Sequence, residues 1–421
     1  MFFRWYLNRA VLVVLSVASL FLVTHAVAQQ ETVLFNFNSI GDSGIYPGGS
    51  LILDASGDLY GTALAGGGGG CGIGCGVVFE LIPGAGGWTE KILHNFNDNP
   101  LDGNDPAAAL IFDAAGNLYG TTQFGGAAGY GTVFKLTPKS DGTWKETILH
   151  SFQYNGVDGS APHGALIFDA AGNLYGTTAE GGTLQWGTVF ELSPQGNGSW
   201  KEKILHSFGG DDGWAPQGSL LMDSSGNLYG TTPYGGARLV DDYGIVFELL
   251  PQAGGAWKEI ILANFPELGS RPQSPQANLI PDPAGNLYAT SSMGGSEGGG
   301  TVFELVLKPS GALATKILFD FANDIGGGSQ PYSGLIMDAA GDLYGTDSTD
   351  GTSNESAGTV FDLKRDRGGV WTETVLHDFL NSPSDGSYPN GGVVFDSAGN
   401  LYGTTVFGGT YTWGTVYEIT P

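Results

Sequence analysis

Positive charge is scarce in this chain: 16 Lys and Arg stand against 42 Asp and Glu. Nucleic acids and anionic membrane surfaces are held by basic patches, so a chain this acidic is built for neither. Cations, basic proteins and neutral glycans remain as partners. Cysteine is nearly absent, with Cys71 and Cys75 the only two. Recognisable catalytic signatures are missing as well: there is no Ser elbow, metal-ligand motif, phosphate loop or nucleotide fingerprint. Disorder is excluded in turn, because 41% of the residues are hydrophobic and 12% aromatic. The 72 glycines follow no triplet period, which points to many tight turns rather than to collagen.

Long hydrophobic runs are lacking except at the start. Arg4 and Arg9 precede an apolar stretch from Ala10 to Val23, and Ala26-Val27-Ala28 precedes Gln29. That is the layout of a secretory signal peptide cut after Ala28. The stretch is short of the ~20 residues of a spanning helix, so no membrane insertion is expected once residues 1–28 are removed. The expected location is secreted, periplasmic or cell-surface. Both arginines fall in the leader, so residues 29–421 carry 14 basic residues against the same 42 acids, a net charge of −28.

What the chain has in abundance is repetition. Asp169-Ala170-Ala171-Gly172-Asn173-Leu174-Tyr175-Gly176-Thr177-Thr178 is said seven times, with its Leu-Tyr core at Leu59, Leu118, Leu174, Leu228, Leu287, Leu343 and Leu401. The spacings of 54 to 59 residues signal a propeller, solenoid or array. In one unit, Gly164–Asp169 reads as a strand buried on both faces, 170–173 as a tight turn, and Leu174–Thr178 as a second strand. Gly187–Leu192 and Trp200–Phe208 read as the third and fourth. Four short antiparallel strands per repeat make a propeller blade. The third strand appears a seventh time at 414–419, where the chain runs out, and the missing fourth strand stands at the other end as Glu31-Thr32-Val33-Leu34-Phe35-Asn36-Phe37. It matches Glu373-Thr374-Val375-Leu376 of the sixth unit. The expectation is an all-β, seven-bladed propeller over 29–421, a monomer, with the N-terminal strand completing the last blade. A linear solenoid would need polar caps instead of a split repeat.

The repeated unit, GNLYGTT…GG…GTVFEL, resembles the GloVer tandem repeat, a family of exported bacterial proteins, and the resemblance runs from about Glu31 to the end. It implies a propeller and export, and no catalytic residues. The chain departs from the family's anchored pattern in that nothing follows Pro421 that could sort or tether it, and the sequence does not say how or whether the protein is anchored.

A site is expected in what differs between blades rather than in what repeats. The Asp of each hairpin reads as a turn residue, and His94, His150, His206 and His377, at one strand position in four blades, read as packing or hydrogen-bonding groups. The proline twelve residues before each Leu-Tyr reads as a rigid entry to the inner strand. The loops joining strands four to one and two to three share a face and vary most. On them fall Tyr130, Trp186, Trp214, Asp241, Asp242, Tyr243 and Trp413, a candidate platform for a glycan or protein ligand, with simple cover of the inter-blade core as the competing reading. Cys71 and Cys75, four residues apart in a Gly-rich loop, are expected to form a disulfide, with free thiols or a metal pair as alternatives. The oxygen-rich run from Asn97 to Asp105 has calcium-type ligands without EF-hand spacing, so no cofactor is expected, calcium being the one for which ligands exist. The functional expectation is an exported binding or scaffold module. A polysaccharide-active hydrolase or lyase at the channel mouth is the alternative.

Overall fold

In a computed structural model, residues 30–236, 242–266, 270–308, 313–322, 327–353, 355–380 and 382–420 are described. The leader expected over 1–28 lies outside them, as does Asp241; for Asp242 only the backbone is described. The chain forms a seven-bladed β-propeller. Blade three is typical: Ile167–Phe168, Leu174–Gly181, Thr188–Pro194 and Trp200–Ser207 pair antiparallel in chain order. The seventh blade takes Val394–Phe395, Leu401–Thr405 and Thr415–Thr420 from one end of the chain and Gln30–Asn36 from the other. Gln30 pairs with Thr420 and Val33 with Tyr417, so the N-terminal strand closes the ring.

The innermost strand is shorter than the sequence suggests. Only Ile167 and Phe168 pair, and His163-Gly164-Ala165 before them lines the central channel. Seven such segments converge on the axis, and the crowding there selects small residues: a Cβ on Gly164 would lie 2.6 Å from the Gly218 carbonyl oxygen of the next blade. Second-strand threonines lock the segments together, Thr177 Oγ1 donating to the Gly218 carbonyl at 3.2 Å and Thr404 Oγ1 to that of Gly49 at 3.2 Å.

The hairpin Asp behaves as a turn residue. Asp169 Oδ1 accepts from the Ala171 and Asn173 amides at 2.8 and 2.9 Å, while Oδ2 accepts from Asn173 Nδ2 and the Tyr175 hydroxyl. The hydrophobic core lies between blades. Each fourth strand buries a Phe edge-on against the third-strand aromatic of the next blade: Phe96 on Phe134, Phe208 on Phe247, Phe379 on Tyr417, and across the closure Phe37 on Phe79, with ring centroids 5.0–5.3 Å apart. Tyr417 replaces the usual Phe, and its buried hydroxyl has no partner.

Candidate functional site

The variable loops do share one face. In each blade the segment entering strand one pairs with the segment leaving strand two, as in Gly103–Asn104 with Phe124–Gly125, Trp214 with Tyr234, and Gly386–Ser387 with Phe407–Gly408. These ribbons extend every blade on the same side. After each ribbon comes the repeated proline, and the residue before it adopts a left-handed conformation: Tyr46, Asp105, Ala161, Ala215, Ser274, Gln330 and Tyr388 all have φ between 52° and 60°. A Cβ atom and a following Pro both disfavour that conformation. It persists because the amide reaches into the preceding blade, Tyr46 N–H donating to the Trp413 carbonyl at 3.0 Å and Ala215 N–H to that of Trp186 at 2.9 Å. The proline ring then lies over the glycine that opens the neighbour's third strand; a Cβ on Gly187 would meet Pro216 Cδ at 2.8 Å. So the proline, read from sequence as an entry to the inner strand, is also a clasp between blades.

These clasps set the aromatic rings. Trp186 packs edge-on against Trp214 at 4.4 Å, and Trp214 leans on Tyr234 at 5.3 Å. On the far side, Tyr46 contacts Phe407 and Trp413 at 5.2 and 5.3 Å, and Phe407 contacts Tyr388 at 5.7 Å. Tyr130 stacks on Tyr154 at 5.3 Å. Trp186 and Trp413 are half-buried and abut the inter-blade cores, Tyr243 is half-buried, and Tyr130 and Trp214 are exposed at 39% and 40%. Thus the two tryptophans nearest the third strand seal the core and also form the base on which Trp214, Tyr234, Phe407 and Tyr388 stand exposed. Tyr234, Phe407 and Tyr388 were not among the expected ligand residues.

The channel mouth is polar. The residues directly after five of the prolines, His163, Gln217, Gln276, Tyr332 and Asn390, are polar and vary between blades, and they line a narrow cavity of about 150 Å³. Burial pushes the His163 imidazolium down, favouring the neutral ring, whose Nδ1 lies 3.2 Å from Gln123 Nε2. Among the described residues, no Asp or Glu lines this channel. Cys71 and Cys75 form a disulfide that staples the glycine loop beside a cavity of 530 Å³ bounded by Ile73 and Trp413. In the oxygen-rich run, the Asp102 carboxylate accepts from the Asn97 and Gly103 amides and from the Asn97 side chain, so the turn uses its own oxygens.

The repeated histidines do more than pack. Each sits between an Asp of its own blade's outgoing loop and a Glu on the fourth strand of the next blade: His94 with Asp102 and Glu146, His150 with Asp158 and Glu202, His206 with Asp212 and Glu259, His377 with Asp385 and Glu31. His94 Nε2 is 3.4 Å from Asp102 Oδ1 and 3.5 Å from Glu146 Oε1. Around His150 the distances are 3.3 and 3.4 Å; around His206 they are 3.1 and 3.9 Å. Burial lifts the glutamates: Glu146 to about 7, the His94 charge partly opposing, and Glu202 to about 9, with Asp158 adding to the effect. Sequence reading gives these histidines only packing or hydrogen-bonding roles and misses the triads, because their members lie in different repeats.

The model of the Gloeobacter/Verrucomicrobia repeat matches residues 19–152, 140–303 and 239–421. Among curated proteins nothing matches the chain. Among solved structures it is similar to a protein of unknown function from Dyadobacter fermentans, at 13% identity over 93% of this chain and 100% of that one, with a TM-score of 0.45. That likeness is too distant to bear on function.

Proposed function

This chain belongs to the Gloeobacter/Verrucomicrobia repeat family, and we propose that it is an exported binding propeller that holds a glycan on its ribbon face, over the channel mouth. The observation that carries the reading is the pair of pre-assembled aromatic clusters, Trp186–Trp214–Tyr234 and Tyr46–Phe407–Tyr388, on the face where the channel opens. Exposed rings held by a rigid scaffold supply apolar contact to sugar faces at low entropic cost. The amides of Gln217, Gln276 and Asn390 offer both donors and acceptors to hydroxyl groups. The net charge of −28 over residues 29–421 suits a neutral ligand better than an anionic one.

Binding is favoured over hydrolysis by the same residues. Glycoside hydrolysis uses two carboxylates about 5–10 Å apart, and the channel lining holds amides, an imidazole and a phenol instead. An oligosaccharide array followed by product analysis tests both points: binding without turnover is expected. Trp214→Ala and Phe407→Ala should each weaken binding at least tenfold while the melting temperature stays within a few degrees. Undiminished binding in both variants would refute the reading.

A further inference from the structure

The four His/Asp/Glu triads lie on the ring's periphery, between fourth strands, each with its Asp in a loop that leads into the ribbon face. Two of them have a geometry that packing alone does not require. A tetrahedral zinc ion with bonds of about 2.0–2.1 Å places its ligand atoms ~3.3–3.4 Å apart. The separations of 3.4 and 3.5 Å around His94, and of 3.3 and 3.4 Å around His150, match two edges of that tetrahedron in each case. The Asp side chains are 6% and 7% exposed, held in place by amides of their own loops. The third members, Glu146 Oε1 and Glu202 Oε1, are fully buried oxygens that accept no well-formed hydrogen bond, the imidazole nitrogens standing 3.5 and 3.4 Å away. A buried carboxylate oxygen without a donor is costly unless a proton or a cation compensates it.

We propose that the clusters His94–Asp102–Glu146 and His150–Asp158–Glu202 are metal sites, each taking one divalent cation of the zinc class and so joining neighbouring blades. One imidazole nitrogen with two carboxylates suits zinc better than calcium or magnesium, which prefer all-oxygen shells. Two carboxylates and a neutral imidazole also balance the dipositive charge. The third and fourth clusters are variations on the same plan, with the 3.9 Å separation of His206 from Glu259 making that one looser. The remaining interfaces supply internal controls. Glu90 faces Phe35 across the closure and already accepts from the Gly44 amide at 3.2 Å. At the interface of blades five and six, Glu373 keeps a buried unpartnered oxygen, but Phe319 stands at the histidine position.

The test is direct. The protein is stripped with a chelator, loaded with Zn²⁺, desalted and assayed for bound metal, with Co²⁺ as a spectroscopic probe of tetrahedral coordination. At least two tightly held equivalents are expected, unaffected by millimolar Ca²⁺. Glu146→Gln and Glu202→Gln keep the shape and remove a buried charge, so both should fold at least as well as the parent. Each should lose one equivalent of zinc, whereas Glu373→Gln should lose none. Fewer than two equivalents, displacement by Ca²⁺, or unchanged stoichiometry in both Gln variants would overturn the proposal and leave the triads as proton-sharing contacts.

Discussion

Truncating Phe37 asks whether the N-terminal strand is a structural member of the ring or an appendage. Its side chain is fully buried and packs edge-on against Phe79 at 5.1 Å, across the seam between blades seven and one. Phe208 occupies the same position in blade three, equally buried, against Phe247 at 5.3 Å. Removing a buried Phe to Ala costs about 3–5 kcal/mol through lost transfer energy and the cavity left behind. The lost edge-to-face pair, worth about 0.5–1.5 kcal/mol, sits inside that figure. The environments match, so Phe37→Ala and Phe208→Ala should agree within about 1 kcal/mol. The assay is equilibrium urea unfolding followed by tryptophan fluorescence, comparing midpoints at constant slope. Phe→Leu variants at the same two positions serve if the Ala forms are too unstable to isolate. If Phe37→Ala costs less than about 1 kcal/mol while Phe208→Ala costs its full share, the strand does not bear on the fold and the closed ring is wrong.

Tyr417→Phe restores the residue found at the other six third-strand positions and removes a buried, unpartnered hydroxyl; it should stabilise by about 1–2 kcal/mol, read by the same unfolding curves, and any loss would mean that the hydroxyl has a partner. Asp347 stands where Thr122, Thr178 and Thr405 pair with third-strand threonines at 2.8 Å; it accepts from Thr359 at 3.1 Å and leaves Oδ1 buried without a donor. Burial first, then the Glu373 charge, raises its pKa well above the carboxylate range. A folded pKa above the unfolded one contributes stability at low pH that is lost as pH rises through the folded value. Asp347→Thr should therefore gain about 1–3 kcal/mol at pH 8, and the gain should shrink towards pH 4 in melts across that range. A variant no more stable than the parent at pH 8 would contradict the assignment.

The ring was legible because its logic is local and repeated. The Leu174–Tyr175 hairpin marks a blade, and the orphan strand before Phe37 says how the blades close. Strand ends were less legible: Gly164 and Ala165 read as the start of a strand, yet convergence at the axis turns them into channel lining. The shared face of the loops also followed from the meander, but the division of labour on it did not. Trp186 and Trp214 look alike in sequence, and only packing makes one the support and the other the exposed ring. The triads were harder still. His150, Asp158 and Glu202 are eight and 52 residues apart, and only the rotation from one blade to the next brings the glutamate in. A signal was available: four units with the histidine also carry an acid six or eight residues on.

Closure by a terminal strand has a cost that is paid in time. The hairpin partners Tyr402 and Glu418 are 16 residues apart, whereas the contact between Gln30 and Thr420 spans 390. Loop entropy grows as about (3/2)RT ln n, so the seam starts roughly 3 kcal/mol behind any hairpin in the molecule. It forms last. Until then the seventh sheet has three strands and a bare edge, and the segment that fits it is a short tail tethered far away. The tail of a second molecule fits the same edge equally well. Refolding at high concentration should therefore yield exchanged pairs, two complete rings each finished by the other's first strand, with no surface that a single ring lacks.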